Sequence, residues 1–141
     1  MAEKMGFEGK MYRGTASSTA ATEVGTVRDV TITTDPQKAP TTTRGTAGTP
    51  PVETEGVVSI KWSCDWTMVN DTSDASLTAF RTAAAAGSPI ALRLKDYSAG
   101  KGFDGDVTLS CKEGQPLAGE QTFDFTATPT KKSGRAPLVY S

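Results

Sequence analysis

A chain of 141 residues with a formal net charge of -1 and 22% charged residues is long enough to bury one domain's core without a metal or disulfide staple, and a sequence pI near 5.4 argues against a dedicated nucleic-acid binder. It contains no histidine, which removes the usual general base, the commonest zinc ligand and the Ser/His/Asp and Cys/His arrangements together, so an enzyme is not expected. No apolar run follows the N-terminal lysines and no stretch approaches the roughly eighteen apolar residues of a membrane span, so the expectation is synthesis in the cytoplasm without membrane insertion.

In chain order, Gly9 to Arg13 reads as a short strand, and a Thr, Ala and Ser-rich connection leads to Val24 through Thr34. There Val30 and Ile32 alternate with Thr31 and Thr33, the period of a strand. Asp35 and Pro36 are expected to end it, because proline lacks the ladder N–H and biases its predecessor away from regular structure. Between about residues 35 and 57 the chain is rich in Pro, Gly and Thr with little to bury. Such a stretch is either a loose surface loop or a hairpin arm ordered by a partner.

The longest regular signal runs from Val58 to Met68. Val58, Ile60, Trp62, Cys64, Trp66 and Met68 alternate with Ser59, Lys61, Ser63, Asp65 and Thr67, so a long two-faced strand is expected with both tryptophans on its buried side. Asn70 to Asp74 then offers side chains that cap free backbone N–H groups. A helix follows, with Leu77, Phe80 and Ala84 on one face and Gly87 and Pro89 as its stop. Ile90, Leu92 and Leu94 mark a further strand, the segment 96–105 reads as turns, and Val107 to Cys111 and Phe123 to Ala127 read as two hairpin-linked strands.

The expected whole is a single, mainly β domain over residues 1–141: two packed antiparallel sheets, a sandwich or open barrel, with one flanking helix. Its core is expected around Trp62, Trp66, Leu77, Phe80, Phe123 and Phe125. Residues 130–141 are expected to form a flexible, basic tail. Among chemical candidates, Asp104, Gly105 and Asp106 lack the spacing of a calcium loop and read as a turn. Gly100, Lys101 and Gly102 are too short for a phosphate loop. Cys64 and Cys111 both fall on apolar phases and are expected to be buried, reduced and inert. Asp65, Asp106 and Asp124 recur on the polar phases, either as ordinary solvated positions or as a wet face that repels phosphates.

The segments GKMYRGTA at 9–16, VRDVTI at 27–32, TTTRG at 41–45, the Trp66 strand running into an Asp-rich helix start, and SPIAL at 88–92 together resemble the tail tube, or major tail, proteins of long-tailed bacteriophages and phage-like particles. The resemblance implies a non-catalytic virion protein without cofactors that self-assembles as stacked hexameric rings into the hollow tail tube. DNA would pass through it transiently, without specific binding. It places Ser63, Asp65, Thr67, Asp106 and Asp124 as lumen candidates and Thr41, Thr42, Thr43 and Arg44 as contacts between rings or subunits. It further implies a tape measure protein, tail terminator and baseplate proteins and, in a contractile tail, a sheath as partners. The alternative from another class is a monomeric β-sandwich module binding carbohydrate or a cell surface, for which Tyr97 and Phe103 are the available loop aromatics.

Overall fold

The computed structural model describes residues 3–45, 48–131 and 139–140. Among these residues are eight strands, β1 (Lys10–Thr15), β2 (Thr22–Glu23), β3 (Arg28–Pro40), β4 (Glu55–Val69), β5 (Ile90–Lys95), β6 (Phe103–Gly114), β7 (Thr122–Pro129) and β8 (Val139–Tyr140), and one α-helix, α1 (Ala75–Ala86). They form one sheet in the order β2-β1-β5-β6-β7-β4-β3, with β8 on β6 off that path, and all pairs are antiparallel.

The two packed sheets expected from the strand count are therefore replaced by a single sheet curled into a half-barrel. Curling lets one sheet bury its apolar face within its own concavity, so no second sheet is needed as cover. Trp62 on β4 meets Phe103 on β6 at 5.4 Å between ring centroids, although β7 lies between those strands. The helix lies over the same face: Trp66 contacts Phe80 at 5.3 Å and Phe125 at 5.7 Å. Leu77, Phe80, Trp62, Trp66, Phe123 and Phe125 are all buried in this one core.

Local chemistry explains where α1 starts and stops. The Asp74 carboxylate accepts from the backbone N–H groups of Ser76 and Leu77 at 3.0 and 3.3 Å, satisfying two donors that no preceding turn can reach. Gly87 adopts φ 68°, and the Ser88 N–H returns to the Ala83 carbonyl at 3.1 Å, a left-handed stop that glycine makes at little cost.

Two strands depart from the expected bounds. β3 continues through Asp35 and Pro36 to Pro40, pairing Pro36 with Ile60. It ends the sheet order, and proline is tolerated on such an edge because no further ladder needs its N–H. β4 begins at Glu55, but the burial expected of its whole apolar phase starts only at Trp62; Val58 and Ile60 are 67% and 65% exposed. The second half of β3 and the first half of β4 thus form a two-stranded arm reaching past the core. At the other end, Val139 and Tyr140 pair with Asp104 and Phe103, which corrects the expected free tail at these two positions. The basic residues Lys132 and Arg135 lie outside the described residues.

Candidate assembly surfaces

The polar phases of four strands align across one sheet face. In register, Thr31 lies beside Asp65, Asp65 beside Thr126, and Thr126 beside Ser110. The next row runs from Arg28 through Thr67 and Asp124 to Lys112. The hydroxyl of Thr126 donates to Asp65 at 2.7 Å, and that of Thr67 donates to Asp124 at 2.8 Å. Each carboxylate is therefore oriented by a threonine on the neighbouring strand, while Asp65 and Asp124 stay exposed and Ser63 and Thr67 half-exposed. These four sequence candidates share one hydroxylated, acidic wall.

Asp106 does not join that wall. It is 1% exposed, and both its carboxylate oxygens accept from the Ser17 N–H at 3.1 Å. The polar phase is correct, but the loop after β1 folds over this corner of the sheet and covers it. Gly14, paired with Ala91 beside Asp106, permits the approach: a Cβ there would stand 3.0 Å from the Ala20 Cα. The small residues Gly14, Ala20 and Ala91 are the trace of this approach in the sequence, where only Ala20 falls in the stretch read as a connection. Asp104 and Asp106 lie inside β6 rather than in a turn.

The arm is ordered by its own hydrogen bonds. Beyond the last pair, Pro40 with Glu55, the Thr41 N–H donates to the Thr54 carbonyl at 2.9 Å and the Thr54 N–H to the Thr42 hydroxyl at 2.9 Å. Thr41 and Thr42 therefore close the base of the tip, whereas Thr43 and Arg44 extend into solvent. The strands of the arm are paired as a hairpin as far as Pro40 and Glu55. Val57, Val58 and Ile60 lie bare along it.

The remaining candidates fold into ordinary structure. Segment 96–102 is a turn closed on itself: the Asp96 carboxylate accepts from the N–H groups of Tyr97 and Lys101 at 3.0 Å each, and the Gly100 N–H donates to the Tyr97 carbonyl. Tyr97 is half-buried under the Lys4 ammonium, and Phe103 is half-buried between Trp62 and Tyr140. Neither is a free aromatic platform for a sugar. Cys64 is fully buried, and burial, with the nearby Asp65 charge, pushes its thiol up to about 12. Cys111 is exposed, contrary to its apolar phase, because an open groove runs between α1 and β6 there, lined by Thr78, Thr82, Ala85 and the thiol itself and bordered by the Arg81–Glu113 ion pair.

No family model matches the sequence, and no curated protein matches it. Solved structures do match the fold. A chain of the tail of an empty gene transfer agent particle, computed with helical refinement and C6 symmetry, superposes with a TM-score of 0.75 at 14% identity, covering 99% of both chains. A chain from the virion of a native gene transfer agent particle gives 0.73 at 11% identity, again over 99% of both. The SPP1 tail tube gives 0.69 at 13% identity, over 89% of this chain and 75% of that one. The resemblance seen in short sequence segments extends to the whole architecture, and this chain has the tail tube fold.

Proposed function

We propose that this chain is a structural subunit of a virion tail tube, in which six copies close a ring, rings stack, and double-stranded DNA passes down the bore to the host. The observation that carries the reading is the fold match over 99% of the chain to a tail refined with C6 symmetry. Two features of this chain support it. The wall of Ser63, Asp65, Thr67 and Asp124 has the character a bore needs, wet and with carboxylates at its centre that repel phosphates, the cations Arg28 and Lys112 standing only at the ends of one row. The arm presents long strand edges and bare apolar side chains, a hazard in a monomer and useful in a polymer. Thr43 and Arg44 stand at the arm tip, where a neighbouring ring would meet them, and the tube ends would meet terminator and baseplate proteins.

Sedimentation of the purified chain over rising concentration tests this reading. Particles far larger than a monomer are expected above a critical concentration. A protein that stays monomeric up to millimolar concentration contradicts it.

A further inference from the structure

A groove of about 650 Å³ opens between the two ends of the half-barrel, where β1 and β5 face the start of β3. Its floor is apolar core: Met11, Val24 and Leu94 are each less than 5% exposed. Its walls carry the exposed apolar side chains of Phe7, Val30 and Ile32, and charged residues, the Lys10–Glu23 ion pair, Asp29 and Lys95, stand among them. A wall built from the bare ring of Phe7, 83% exposed, is an incomplete core, and an apolar strand face would complete it.

The same molecule carries such a face. Val58 and Ile60 continue the phase of Trp62 and Cys64 but have nothing over them. They cannot fill their own groove. Ile60 pairs with Pro36, four residues beyond the Ile32–Cys64 pair, so it sits about 13 Å out along a ribbon whose base forms the groove wall. A paired ribbon does not fold back on its own root. Arm residues 34–61 also match in number the roughly 20–30 residues that each partner contributes to a standard interface, and two strands alone are marginally stable in water. The arm is thus large enough to be one whole side of a stable contact.

We propose that this groove is the socket for the Val58–Ile60 stripe of the arm of a second copy of this chain. Stripe and socket are different surfaces of one molecule, so the contact is heterologous, and repeating it propagates an assembly instead of ending at a dimer. The presence of a second copy rests on the tube reading; the socket itself is the new element.

Two double variants test it: Val58→Asp with Ile60→Asp on the arm, and Phe7→Asp with Val30→Asp on the socket. All four positions are exposed, and unchanged circular dichroism verifies that both variants fold. Each is expected to raise the critical concentration about tenfold or more, the loss of at least one apolar anchor. Mixed in equal amounts, they are expected to associate in sedimentation velocity where neither does alone, since one retains a sound arm and the other a sound socket. A socket variant that assembles like wild type, or a mixture that stays as inert as its components, overturns the socket while leaving the tube reading intact. Wild-type protein that never self-associates overturns both.

Discussion

Thr126 on β7 donates its hydroxyl to the Asp65 carboxylate on β4 at 2.7 Å, and one row away Thr67 on β4 returns the same bond to Asp124 on β7. This reciprocal pair fixes two carboxylates on one exposed sheet face without neutralising either. Both carboxylates stay open to water, on a face whose Asp124 row ends in Arg28 and Lys112.

Reversing that charge is expected to change what the wall holds while leaving its fold alone. Asp65→Lys with Asp124→Lys alters exposed positions, where substitutions typically move stability by about 0.5 kcal/mol or less. Tubes of the variant are expected to retain double-stranded DNA in filter binding at low salt and to release it as salt rises, whereas wild-type tubes do not retain it. Loss of tube formation would place the two residues at a subunit contact.

Phe80 joins the helix to the sheet through Trp66 and Phe125, at 5.3 and 5.7 Å. Phe80→Ala empties the centre of the only helix-to-sheet cluster among the described residues, and a loss of about 3–5 kcal/mol is expected in urea unfolding. A loss under about 1 kcal/mol would mean that α1 contributes little to the core.

The two thiols are expected to behave differently. A thiol reagent should modify Cys111 in the native protein and reach Cys64 only on unfolding. The native Cys64 thiol keeps its proton until about pH 12, against an ordinary value of 9.0, so between these limits the unfolded chain binds fewer protons. Its stabilising effect is complete below pH 9.0, and stability falls as pH rises from there towards 12. Cys64→Ala should reduce that alkaline slope in denaturation midpoints, and an unchanged slope would assign it to other groups.

Deleting residues 41–49 removes the tip beyond the last β3–β4 pair and touches no core residue. The shortened chain is expected to fold as a monomer by circular dichroism and to lose stacking. An unfolded product would make the tip part of the folding unit.

Asp106 is expected to matter through the loop that it holds. Asp106→Ala removes the carboxylate that accepts from the Ser17 N–H, a residue kept at φ 75°, and the loss is expected to be about 1 kcal/mol, the worth of a typical intramolecular hydrogen bond. Amide exchange in residues 15–21 should accelerate more than exchange in β4. Uniform acceleration would point to a global effect.

The sequence was most informative where local physics decides the outcome. The alternation around Trp62 and Trp66 and the Asp74 and Gly87 caps specify strand and helix through neighbours a few residues away, and both elements stand where these signals put them. Its failures have one cause: alternation identifies the two faces of a strand but not what covers each face. Ile60 and Cys111 share their strands' apolar phase with buried residues yet lie in the open, because the half-barrel and α1 stop short of them. Asp106 shares the polar phase with Asp124 yet is buried, because a loop crosses that corner. Pairing order depends on contacts distant in sequence, so six similar strands suggested two sheets where curvature makes one.

The most direct test is electron microscopy of the purified protein above its critical concentration. Hollow tubes with evenly stacked rings and six-fold end-on averages are the expected result. Solid or sheet-like aggregates, or rings of another symmetry, would contradict the account, since a C6 bore lined by Asp65 and Asp124 would then not exist.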